Sequence, residues 1–151
     1  MQWVEHTEAN TFYSWTLEGT EQIASLTFTP GSKSFRLLYT SQRWFFLEYS
    51  GVLQQKIVVK SEYGITVGEI QPQRYGQNGT ITVNGLKYYY TESYAAIDVL
   101  DKNKNLIVNL ELKNMHKLDS FELCALLFAY AWVFPAISAE NVYLTNVSEQ
   151  M

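Results

Sequence analysis

The chain has little sulfur, imidazole or charge. One cysteine in 151 residues, Cys124, rules out any intrachain disulfide. Two histidines, His6 and His116, lie far apart in sequence and have no second metal-type ligand at helical or loop spacing. Charged residues make up 17% of the chain and sum to a net charge of −4. Eleven Lys plus Arg give no general attraction to nucleic acid or an anionic surface. The HExxH, GxSxG, phosphate-loop and dinucleotide patterns are all missing. The first residues lack a basic stretch followed by an apolar one, so the expected location is cytoplasmic.

Aromatic residues, by contrast, reach 15%, with 11 Tyr and 4 Trp. They favour strands and argue against disorder. Most of the chain alternates or runs in short apolar bursts between turn residues. Thr11 to Leu17, Ile23 to Thr29 and Phe35 to Tyr39 read as strands, followed by Arg43 to Tyr49. In that last segment Trp44, Phe46 and their neighbours are apolar on both faces. One face suits a barrel interior, and the other calls for a covering element or a partner. Val52 to Val59 and Ile65 to Ile70 continue the pattern, with Ile57 and Val59 opposed to Lys56, Val58 and Lys60. Asn84-Gly85 between two alternating runs predicts a two-residue hairpin with both turn residues at positive φ. Its register sets Val83 against Leu86 and Ile81 against Tyr88. Ala95 to Leu100 and Leu106 to Leu112 form a further hairpin around a polar turn, and Asn141 to Val147 reads as a closing strand.

Leu123 to Phe134 differs from all of this. It is apolar at every position except Tyr130 and does not alternate. Asp119 is placed to cap a helix, with Glu122 three residues on as the reciprocal partner. Pro135 is expected to end it. A rod over about residues 119–134 is roughly 22 Å long, short for a bilayer crossing. A surface helix would keep a polar face, and this one has none. It therefore reads as a helix enclosed by the strands, with membrane insertion and a buried partner interface as the alternatives. A two-layer sandwich core of about 10 Å is too thin to hold such a helix. A closed antiparallel β-barrel has the width and leaves no edges. The expectation is a mainly β, single-domain chain over residues 1–151: about twelve strands enclosing one C-terminal hydrophobic helix.

In this order, the Lys56–Lys60 strand, Tyr63–Ile70, the Asn84-Gly85 hairpin, Ala96–Asp101 with Leu106–Val108, and the late apolar helix resemble the tubby-like superfamily. That group includes the tubby C-terminal domain, phospholipid scramblases and the LURP-one-related proteins. The resemblance spans about residues 44–147 and implies a twelve-stranded barrel around a central helix. It also implies binding of phosphoinositide headgroups through basic residues on the exterior, or peripheral attachment to a membrane. The lipidated cysteine cluster of scramblase-like members has no counterpart here.

The candidate anionic contacts are Lys56, Lys60, Lys102 and Lys104, against the plainer reading of a solvated face. Catalytic, cofactor and metal residues are not identified. The expected function is non-enzymatic, binding either lipid headgroups or a protein, with no nucleic acid. The alternative is a lipocalin-like or fatty-acid-binding-like carrier of a small hydrophobic ligand.

Overall fold

The computed structural model describes residues 1–9, 12–52, 56–73, 77–113 and 117–150, with the backbone course alone at 7–9, 12 and 136–150. Eleven strands run in chain order: β1 Gln2–Ala9, β2 Phe12–Glu18, β3 Gln22–Thr29, β4 Ser34–Tyr39, β5 Ser41–Ser50, β6 Lys56–Ser61, β7 Thr66–Pro72, β8 Asn78–Val83, β9 Leu86–Ser93, β10 Ala96–Leu100 and β11 Leu106–Lys113. One helix, α1, spans Ser120–Gln150. Sequential strands pair antiparallel around a closed barrel. The ring is completed by a parallel pairing of β1 with β11, in which Trp3 stands opposite Leu112.

Alternation sorts the side chains. Phe35 and Leu37 of β4, Phe45 and Leu47 of β5, Ile57 and Val59 of β6, and Ile81 and Val83 of β8 point inward and are buried. The β8–β9 register is as the Asn84-Gly85 turn requires, with Val83 opposite Leu86 and Ile81 opposite Tyr88. Asn84 and Gly85 have φ values of 51° and 80°.

Antiparallel order gathers the β2–β3, β4–β5, β6–β7, β8–β9 and β10–β11 turns at one end, here the upper end. The helix enters at the lower end. Asp119 Oδ1 accepts a 2.8 Å bond from the Glu122 N–H, and Glu122 reaches back to the Asp119 N–H at 3.4 Å. This is the reciprocal cap expected of these residues. Near the start of α1, Phe121 meets Tyr49, which lies toward the lower end of β5. At the upper end Phe134 meets Tyr88 near the start of β9. From Leu123 to Ala131 every side chain is buried.

Eleven strands about 4.8 Å apart and tilted by about 40° make a wall roughly 22 Å across. A helix about 10 Å wide with its side chains fits within it. That match explains why an all-apolar helix is stable here: each face meets strand side chains.

Two expectations fail beyond residue 134. Pro135 does not stop the helix, and 141–147 is helical rather than a closing strand. A proline inside a helix deletes one hydrogen bond and crowds the preceding turn. Pro135 is exposed at the upper mouth, beyond the tight packing, so the backbone has room to adjust around the ring. The closing strand is unnecessary because β1 supplies the closure by pairing with β11.

Candidate functional site

The barrel interior is occupied along most of the helix. Phe128 lies edge-on to Phe35 at 5.8 Å and to Phe45 at 4.9 Å between ring centroids. Ala125 and Ala129 are wholly buried, their small side chains letting the wall approach. Cys124 is wholly buried, and burial raises its thiol pKa far above the ordinary value. It is an inert core residue rather than a nucleophile.

The outer face of β4 and β5 is different. Because Phe45 and Leu47 point inward, Trp44 and Phe46 point outward, at 40% and 45% exposure. The expectation that both faces of this strand are covered is therefore not met among the described residues. Trp44 pairs with Arg36 of β4, whose guanidinium lies 5.6 Å from the indole centroid. Leu38, two residues along β4 from Arg36, is 51% exposed. Half-exposed Leu38, Trp44 and Phe46 together offer roughly 300 Å² of apolar surface, within the range of functional patches.

At the upper end of β5 Arg43, with the inward parity of Phe45 and Leu47, is held firmly. Its Nε donates to Glu62 Oε1 at 2.7 Å, and the Trp44 backbone N–H donates to Glu62 Oε2 at 3.0 Å. The guanidinium also lies over the rings of Phe45 and Trp132. These contacts tie the β6–β7 turn to β5 and to the emerging helix. The Trp44 N–H bond, with Arg43 beside it, lowers the Glu62 carboxyl pKa below its ordinary value.

The four candidate lysines do not converge. Lys56 and Lys60 share the outer face of β6, but each meets a carboxylate: Lys56 with Glu69 at 3.4 Å, Lys60 with Glu48 at 2.6 Å. Glu48 and Glu69 lie on the outer face and neutralise these cations. Lys102 and Lys104 sit in the β10–β11 turn. Four strand steps, about 19 Å along the wall, separate that turn from β6. Lys104 shares the Tyr89 ring with Lys87, each 5.2 Å from its centroid. His6 Nε2 bonds Thr16 Oγ1, which donates to Glu18. His116 lies outside the described residues. Among the described residues, no three His, Cys, Asp or Glu are grouped to hold a metal ion, and no helix is long and apolar enough to cross a membrane.

No family model, no curated protein and no solved structure matches the chain.

Proposed function

We propose that the protein is a non-enzymatic binding domain that engages a partner protein through the outer face of β4 and β5. The observation that carries this reading is the outward, half-exposed pair Trp44 and Phe46 beside Arg36. Aromatic residues with an arginine are the side chains that dominate binding energy at protein interfaces. A closed barrel offers no strand edge, so recognition here works through side chains. The non-enzymatic part of the reading is supported by the filled interior, where helix side chains occupy the space a buried cleft would use. The same filling argues against a hydrophobic-ligand carrier. Kinship with tubby-like domains is supported by the element order and the enclosed helix. Headgroup binding at β6 is disfavoured because Lys56 and Lys60 are already matched by carboxylates.

A photo-crosslinking residue placed at position 46, and for comparison at position 91 on β9, tests this in cells. A discrete protein adduct is expected at 46 and not at 91, and is lost in Arg36→Glu and Trp44→Ser backgrounds. Identical adducts at both positions would overturn it. So would native mass spectrometry showing a retained lipophilic molecule. Phosphoinositide-dependent liposome binding that is lost on changing Lys102 and Lys104 to Gln would replace it with the headgroup reading.

A further inference from the structure

At the rim of the lower mouth, next to the place where the chain turns into α1, an open cleft of about 490 Å³ is lined by Glu92, Ser93, Tyr94, Ala95, Leu112, Lys117 and Leu118. This volume lies within the range of small-molecule sites. Its walls come from three pieces of chain. Glu92 lies at the end of β9 with the inward parity of Tyr88 and Tyr90, and pairs with buried Ile97. Leu112 lies at the end of β11, and Lys117 and Leu118 immediately precede the helix cap.

The β9–β10 turn that closes one side is held in an uncommon backbone form. Ala95 has φ of 59°, a left-handed conformation that a side chain disfavours. The Ala95 carbonyl accepts the Leu112 N–H at 2.9 Å, which fixes the turn against β11.

The chemistry of the lining is specific. Glu92 and Lys117 line one cleft and form no salt bridge with each other or with any other described residue. Burial raises the Glu92 carboxyl pKa, the mark of a group losing water without gaining a cation. Leu112 and Leu118 are the aliphatic members of the same lining.

We propose that this mouth binds a small zwitterion with an apolar body, its ammonium held by Glu92 and its carboxylate by Lys117. An amino acid with a branched aliphatic side chain is the simplest compound of that description. The site lies at the lower mouth of the barrel, away from the Trp44 face, and the inference does not rest on the protein-binding reading.

Three probes dissect it by NMR titration of the full chain: L-leucine, leucinamide without the carboxylate, and 4-methylpentanoate without the ammonium. Leucine is expected to shift the Glu92–Ala95 and Lys117–Leu118 amides, with each truncated probe at least about tenfold weaker. Glu92→Gln should weaken leucine and leucinamide about tenfold and leave 4-methylpentanoate unchanged. Lys117→Met should weaken leucine and 4-methylpentanoate and leave leucinamide unchanged. Both substitutions lie at the rim, and unchanged thermal melts exclude misfolding as the cause. Equal binding of the three probes would overturn the proposal, as would variants without selective effect or no shift at up to about 20 mM leucine.

Discussion

Gly68 of β7 and Phe128 of α1 meet so closely that a Cβ on Gly68 would lie 2.7 Å from Phe128 Cε2. The ring fills the space that this glycine leaves in the wall. The same Cβ would be 2.6 Å from the Thr82 carbonyl oxygen on the neighbouring strand, so both the helix and β8 would have to shift.

Gly68→Ala is therefore expected to destabilise the protein by about 2 kcal/mol, the usual cost of overpacking a core. This holds even though alanine is ordinarily the better residue in a strand. Urea unfolding should show a lower midpoint with an unchanged slope. Combining it with Phe128→Leu should recover part of the loss, giving a non-additive double-mutant cycle. The Thr82 carbonyl contact sets the part that is not recovered.

Ala129→Glu is expected to abolish soluble folded protein. Ala129 is wholly buried, and an unpaired carboxylate there costs several kcal/mol or more. The whole stability of a typical domain is about 5 to 15 kcal/mol. Placing Glu at each position from 123 to 131 should give the same collapse, read by soluble yield and circular dichroism. Tolerance recurring every three or four residues would contradict the enclosed helix.

The Glu62 carboxylate, held by the Trp44 N–H and by Arg43, should make stability depend on pH in one direction. The folded-state carboxyl pKa of Glu62 is depressed below its ordinary 4.5. Its contribution is then complete above 4.5 and is lost as pH falls through the lower folded value. The melting temperature of the native chain should exceed that of Glu62→Gln at neutral pH. The difference should shrink only in the acid range below the ordinary value. A difference that disappears between neutrality and 4.5 would contradict the assignment.

Cys124 should not react with a water-soluble disulfide reagent at mildly alkaline pH while the protein is folded. Burial both shields the sulfur and disfavours the thiolate. In denaturing urea one equivalent should react at once. Rapid labelling of the native chain would mean that the helix leaves the barrel readily.

The lower-mouth cleft was not legible in the sequence. Glu92, Leu112 and Lys117 belong to separate segments, and each alone reads as an ordinary strand or loop residue. Ala95 reads in the sequence as the start of a strand, whereas in the fold it takes a left-handed conformation in the turn before β10. Lys56 and Lys60 were legible as one strand face, whereas their carboxylate partners depended on how β5, β6 and β7 align. Trp44 and Phe46 fell between these cases. Their alternation with Phe45 and Leu47 assigned them to one face, but whether anything covered that face depended on the rest of the chain.

By itself the sequence determined what is set by neighbours along the chain: most strands through their period of two, the Asn84-Gly85 turn through its need for positive φ, and the reciprocal Asp119–Glu122 cap. It also favoured an enclosed helix, because a rod without a polar face has no stable surface position, while membrane insertion and a partner interface were left for the tertiary structure to decide between. Tertiary structure alone decided that β1 closes the ring by pairing in parallel with β11, and that α1 continues through Pro135. It also decided that an open cleft lies at the rim of the lower mouth. These outcomes depend on the spacing of groups distant in sequence. Local propensity fixes torsions and faces, and only the packed barrel fixes which faces meet and where space is left.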